Sequence, residues 1–278
     1  RAFRVSGIVQ GVGFRPFVYR LAEAFALAGW VWNDSAGVGI EAEGAAEALD
    51  AFAAALRTEA PLAAAVASVT FSELPPTGEE GFRILPSPAG TVARTLVSPD
   101  LAVCADCRRE ILSQADRRHG YAFTNCTNCG PRYSIIRGVP YDRPLTSMVP
   151  FQMCPACQRE YDDPADRRFH AQPNACADCG PAYRLLVDGV EQTGDPLARA
   201  RDMIAAGGIV AVKGIGGYHL ACDARRDAAV RRLRERKHRE AKALAVMAGS
   251  MERVRSLCAV SDEEARWLTS PAAPIVLL

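Results

Sequence analysis

Residues 9–17 read VQGVGFRPF. Residues 2–9, leading into them, alternate as a strand does. RPFVYRLAEAFALA (15–28), leading out, carries apolar residues at helical spacing, with Pro16 suited to a first helical turn. The stretch is therefore a strand-to-helix turn holding two glycines. Such a turn aims backbone N–H groups at one point beside a helix N-terminus, which makes an anion site. Gln10, Gly11, Val12, Gly13 and Phe14 are the candidates for that cradle. Arg15 adds a guanidinium able to grip a phosphate with two bonds. Glycine turns before helices are common in proteins that bind no anion, so the loop alone does not settle the matter.

Working outward, GWVWNDS and VGIEAEG read as a hairpin around Ala36 and Gly37, AAEALDAFAAALRTEA (45–60) as a second helix, and AVASVTFSEL and GFRIL as strands. The order β-α-β-β-α-β is the ferredoxin-like arrangement. Asn33 falls on the second strand, which is expected to lie next to the loop strand. A carboxamide there can hold a water in line with a bound phosphate; the alternative is a turn residue before Asp34 and Ser35. V-x-G-x-V-Q-G-V-G-F-R followed by G-W-V-x-N resembles the acylphosphatase family over residues 2–88. The resemblance implies that Arg15 binds an acyl phosphate and that Asn33 positions the attacking water.

The rest of the chain needs a different reading. Of 278 residues, 49% are hydrophobic and 23% charged, with a formal net charge of +1. That is ordinary globular composition, with no excess of positive charge to mark a dominant nucleic-acid binder. No run of about 18 apolar residues marks a membrane helix, and residues 1–20 do not form a signal peptide, so a cytoplasmic protein is expected. The first residue is Arg rather than Met, which leads to the expectation that the native start is missing.

Eight of the ten cysteines stand in four Cys-x-x-Cys pairs: Cys104/Cys107, Cys126/Cys129, Cys154/Cys157 and Cys176/Cys179. The region repeats at an offset of fifty residues: CADCRRE…DRRHGYAFTNCTNCGPRY aligns with CPACQRE…DRRFHAQPNACADCGPAY. Two such turns close a four-thiolate shell around Zn²⁺ with no open position, so two structural zinc ions are expected. Pairing within each repeat is favoured over an interleaved arrangement. Redox pairs and disulfides are the competing readings. His119 and His170 are read as surface or interface groups rather than ligands. Arg117-Arg118 and Arg167-Arg168 permit an alternative in which the module docks a partner or nucleic acid.

After about Tyr183 the pattern becomes α/β. PLARARDMIAAGG reads as a helix and GIVAVKGIGGYHLACDA as a strand entering a glycine turn. DAAVRRLRERKHREAKALAVMAG reads as a basic helix followed by a strand, and APIVLL as a buried strand. A domain ending on such a strand is expected to continue beyond residue 278. Between Arg225 and Lys242 stand nine Lys/Arg and three acids. Lys237, Arg239 and Lys242, with Lys213 in KGIGGYHL, are candidates for nucleotide or carbamate binding; a solvated helix face is the plainer reading. Lone Cys222, Cys258 and His219 are expected in the core.

K-G-x-G-G-Y-H-L-x-C-D-A with R-K-x-R-x-x-K resembles the start of YrdC-like domains, although Ala243-Leu244 stands where that pattern has Pro and an apolar residue. An acylphosphatase unit, a tandem four-cysteine repeat and a YrdC-like unit, in this order, resemble the HypF family of NiFe-hydrogenase maturation. The expected fold is α+β multidomain: a ferredoxin-like βαββαβ domain (1–90), a small double zinc-finger domain (97–183) and a partial α/β YrdC-like domain (186–278). The resemblance implies a carbamoyltransferase. It would hydrolyse carbamoyl phosphate to carbamate and join that to ATP, with Mg²⁺, as carbamoyl-AMP. The carbamoyl group would then pass to a cysteine thiol of the partner HypE on a C-terminal domain that this sequence does not include. A relative that carbamoylates a small-molecule hydroxyl is the further alternative.

Overall fold

The computed structural model describes residues 1–88, 96–214 and 216–278. The chain forms two compact units, Arg1–Pro181 and Ala182–Leu278. Residues 89–95, ahead of the cysteine region, and Ile215 of the glycine turn lie outside the described residues.

The first unit opens with β1 (Ala2–Ile8), α1 (Phe14–Ala24), β2 (Ala28–Asp34), β3 (Gly37–Glu43), α2 (Ala46–Thr58), β4 (Ala65–Ser72) and β5 (Phe82–Ile84). The sheet order is β4-β1-β3-β2-β5. The first four strands pair antiparallel, and β5 adds a short parallel edge beside β2. β3 thus lies between β1 and β2, and Asn33 is not on the neighbour of the loop strand as expected. Both helices bury a stripe at helical spacing, Val18, Leu21 and Ala22 (i, i+3, i+4) on α1 and Leu49, Phe52 and Leu56 (i, i+3, i+7) on α2. With Phe3, Val5, Val31 and Ile40 these make one core, each large apolar side chain contributing about 1.5–3 kcal/mol by burial.

Helix α1 stops four residues before the periodicity suggested. Ala26 takes a left-handed φ of 51°. The amides of Ala26 and Leu27 turn back to the carbonyls of Glu23 and Ala22, a helix-ending motif that usually employs glycine. The reversal places Leu27 in the core, and that burial offsets the strain.

The cysteine region belongs to the same unit. Helices α3 (Ala105–Leu112) and α4 (Pro155–Asp162) sit fifty residues apart at equivalent points, each beginning just after the first cysteine of its repeat. A 3-10 turn, Arg143–Leu145, lies between the repeats, beside a small core of Ile135, Tyr141, Met148 and Ala175.

The second unit holds two hairpins, β6 (Leu186–Val187) with β7 (Val190–Glu191) and β8 (Val210–Lys213) with β9 (Tyr218–Ala221). Its helices are α5 (Pro196–Ala205), α6 (Asp227–Arg236), α7 (Met251–Arg255) and α8 (Asp262–Leu268). Leu185, Val210, Ala229 and Leu233 are its buried apolar residues. Two expected strands are absent. Residues 243–248, after the basic helix, have no regular structure, and APIVLL is an exposed non-strand segment with Ile275 81% and Leu277 87% accessible. An apolar run becomes a strand only where a neighbour supplies a hydrogen-bond ladder, and no described strand lies beside either segment. Cys258 and His219 are exposed rather than in a core, and Cys222 is half-buried.

Candidate functional site

The turn between β1 and α1 has the anion-cradle form. Gly11 and Gly13 have φ of 73° and 74°, left-handed values that side chains resist. Both glycines are also pressed from outside. A Cβ on Gly11 would stand 3.1 Å from the Arg132 side chain, and one on Gly13 would stand 3.1 Å from Thr127. The cysteine module is therefore packed directly on the phosphate-type loop.

Val12 and Phe14 anchor the loop in the core and leave only their backbone to it. Gln10 is committed to structure. Its Nε2 donates to the carbonyls of Asp34 and Gly37, and its Oε1 accepts from the Tyr141 amide at 3.0 Å. This clamp pulls the β2–β3 turn against the loop, which explains how Asn33 reaches the site without a neighbouring strand. Asn33 is 2% exposed, and its Oδ1 has no hydrogen-bond partner among the described residues. A buried acceptor left free costs on the order of 1–3 kcal/mol, so it marks a place for a donor such as water.

Arg15 is 7% exposed, on the first turn of α1. Its Nη2 donates to Asp142 Oδ1 at 2.6 Å, and the Ser87 hydroxyl donates to the other carboxylate oxygen. Gly11, Gly13, Arg15 and Asn33 line one side of a cleft with about 30 Å³ of free volume. Thr127, Arg132, Tyr141, His170, Gln172 and Pro173, all from the cysteine module, line the other. None of these six is legible as a site residue from local sequence. Arg132 explains the mechanical link: its guanidinium donates to the Gly11 carbonyl and to the carbonyls of Cys126 and Cys129. The loop and the first cysteine shell are thus braced by one buried cation.

His170 faces this cleft as a neutral imidazole. Burial, reinforced by the positive Arg15 nearby, holds its pKa down at about 4. Against an ordinary value of about 6.5, the unfolded chain takes up the proton first as pH falls. Stability is therefore full above about pH 6.5 and is lost through the window down to about 4. His170→Asn removes this titration. Between pH 7.5 and 5, the wild type is expected to lose on the order of 2 kcal/mol more than the variant, measured by urea unfolding.

The eight cysteines form two clusters, Cys104, Cys107, Cys126, Cys129 and Cys154, Cys157, Cys176, Cys179. Pairing is sequential within each repeat. The sulfur separations are 3.7, 3.9 and 3.5 Å around the first cluster and 3.8, 3.9 and 3.6 Å around the second. A tetrahedron with Zn–S bonds of about 2.3 Å puts sulfurs about 3.8 Å apart, whereas a disulfide needs about 2 Å. The donor sets fit structural zinc, with no position left open for chemistry.

The two repeats then brace each other reciprocally. Arg117 donates to Cys157 Sγ at 3.3 Å and Arg167 to Cys107 Sγ at 3.2 Å. Arg118 pairs with Glu160, and Arg168 pairs with Glu110. Burial alone would raise the Glu160 carboxyl, but Arg118 and Arg117 hold it at about 2. Each four-thiolate shell thus receives a cation from the opposite repeat. The basic pairs that prompted the nucleic-acid reading are engaged within the module. His119 and His170 lie outside both shells.

In the second unit, Lys213 lies over the Tyr218 ring at 5.2 Å. Lys237 ends α6 and, like Lys242, is exposed. Arg234 Nη1 gathers the carbonyls of Arg239, Glu240 and Lys242 into a tight turn, and Arg239 keeps a buried Nε without a partner among the described residues. The helix-end cluster exists, but Lys213 stands on a separate hairpin.

Comparison with known proteins matches three parts of the chain. Residues 1–84 match the Acylphosphatase family, 103–136 and 153–186 the HypF finger, and 202–278 the family described as Telomere recombination, which groups Sua5, YciO and YrdC proteins. The acylphosphatase of Thermotoga maritima is 45% identical over 82 residues, which are 29% of this chain and 90% of that protein. Carbamoyltransferase HypF2 of Cupriavidus necator is 52% identical over 99% of this chain and 35% of its own length. Carbamoyltransferase HypF of Rhodobacter capsulatus is 53% identical over 99% of this chain and 36% of its own length. A crystal structure of full-length HypF in a phosphate- and nucleotide-bound form superposes with a TM-score of 0.90 at 45% identity, covering 97% of this chain and 36% of that one. The chain spans about a third of the length of these relatives, and along nearly all of its own length it is similar to HypF carbamoyltransferases.

Proposed function

We propose that the first unit hydrolyses an acyl phosphate, with carbamoyl phosphate as the substrate, within a HypF-type carbamoyltransferase. The observation that carries this is one cleft holding a glycine cradle, the buried Arg15 cation and the unpartnered Asn33 Oδ1. The loop amides and Arg15 bind the phosphate oxygens and spread their charge. Asn33 accepts a hydrogen bond from water and aims it at phosphorus, opposite the acyl oxygen. A P–O bond forms to water as the P–O bond to the acyl group breaks, giving inorganic phosphate and carbamate.

Carbamate is short-lived in water and must be used nearby. The second unit supplies Lys237, Arg239 and Lys242, with Lys213, as candidates for the phosphates of ATP and Mg²⁺ in forming carbamoyl-AMP. The carbamoyl group then passes to a HypE thiol. Each four-cysteine shell holds one zinc ion, whose contribution is to fold the module that braces the phosphate loop. Thiolate shells of this kind suit the reducing cytoplasm.

The reading is tested by phosphate release from carbamoyl phosphate. Asn33→Ala is expected to lower kcat about a hundredfold with little change in KM, because the water is positioned for the transition state rather than for substrate binding. A variant with unchanged kcat would remove Asn33 from the reaction.

A further inference from the structure

A substrate whose phosphate sits on the loop and Arg15 lies in a cleft whose opposite wall is the cysteine module. There the two repeats differ at one telling position. His170 has a left-handed φ of 54°, and the residue fifty positions earlier, Gly120, has the same conformation at 69°. Gly120 is exposed, and a Cβ added there would meet nothing within 4 Å. The first repeat thus uses the residue that this backbone prefers, whereas the second carries a bulky imidazole in a conformation that side chains resist.

That imidazole is held firmly. It packs against the rings of Tyr161 and Phe169 at 4.9 and 4.7 Å, and its own carbonyl accepts from Gln172 Nε2 at 2.8 Å. Gln172 is fixed in turn by the Arg143 amide and by Tyr161. The ring borders the cleft that Arg15 and Asn33 also line, and little free volume remains in it.

We propose that His170 is a specificity-determining residue, a rigid wall on the acyl side of the cleft that restricts it to acyl phosphates with an acyl group about the size of carbamoyl. The proposal rests on the acyl-phosphate reading and adds that the cysteine module, not the ferredoxin-like domain, sets the acyl size limit. Strain kept at a position where glycine is available is what a side chain with a task leaves behind.

The test compares carbamoyl, acetyl and benzoyl phosphate on the whole chain, as wild type and as His170→Gly. Glycine suits the backbone, so the variant should keep its fold, verified by full zinc content. The wild type is expected to favour carbamoyl and acetyl over benzoyl phosphate by at least about tenfold in kcat/KM, a preference of order 1.4 kcal/mol. His170→Gly should erase most of that ratio, and His170→Asn should reduce it less. A wild type that accepts benzoyl phosphate as readily as carbamoyl phosphate overturns the proposal. So does an unmoved ratio in both variants. If no acyl phosphate is hydrolysed by the wild type, the underlying reading fails and takes the proposal with it.

Discussion

Arg15→Ala is expected to reduce phosphate release from carbamoyl phosphate by about a thousandfold or more, the range an arginine contributes when it stabilises the charge of a transferring phosphoryl group. The guanidinium is 7% exposed, so its field on a bound phosphate is poorly screened. Its loss also leaves the Asp142 carboxylate, which Arg15 grips beside the cleft, with the Ser87 hydroxyl as its remaining side-chain donor among the described residues, and an uncompensated carboxylate repels the substrate's phosphate. Both effects act in the same direction. Arg15→Lys should recover only part of the rate, since an ammonium cannot bond Asp142 and a phosphate with one planar fork. Activity within tenfold of wild type in Arg15→Ala would show that the phosphate binds elsewhere.

The second large effect concerns the metal. Cys107→Ser is expected to lower zinc content from two ions per chain to one or none and to cut acyl-phosphate hydrolysis at least tenfold, although Cys107 lies outside the cleft. Structural zinc of this type contributes about 10–16 kcal/mol of apparent binding energy to folding, comparable to the whole stability of a domain. The route to the site is explicit. Arg132 bonds the carbonyls of Cys126 and Cys129, in the same shell as Cys107, and the carbonyl of Gly11. Loss of the shell releases that arginine and with it the loop. The second shell should weaken too, because Arg167, which reaches Cys107, and Arg117, which reaches Cys157, tie the repeats together. Zinc analysis and phosphate release on the same preparation check both halves.

How much of this was legible in the sequence follows the range of the interactions. The cradle was readable because its glycines, Arg15 and the helix start lie within a few residues. The cysteine shells were readable because each Cys-x-x-Cys turn is local and the fifty-residue repeat pairs them. Asn33 was found by its pattern, but its path to the site was not. β3 intervenes, and the Gln10 clamp on Asp34 and Gly37 does the positioning.

Asp142 and Tyr141 meet Arg15 and Gln10 across 127 and 131 residues, a separation that leaves no periodicity or spacing to read. His170 leaves one faint sign, the glycine Gly120 at the equivalent position of the first repeat. In the second unit, apolar runs read as strands had no described neighbours to pair with, so composition alone misled.

The most direct measurement is the fate of the oxygen. Carbamoyl phosphate is turned over by the chain in ¹⁸O-enriched water, and the phosphate released is weighed by mass spectrometry against the uncatalysed breakdown. Water held by Asn33 and aimed at phosphorus places one ¹⁸O atom in each phosphate formed above background. Phosphate without label, or no release above background, would contradict hydrolysis at this cleft.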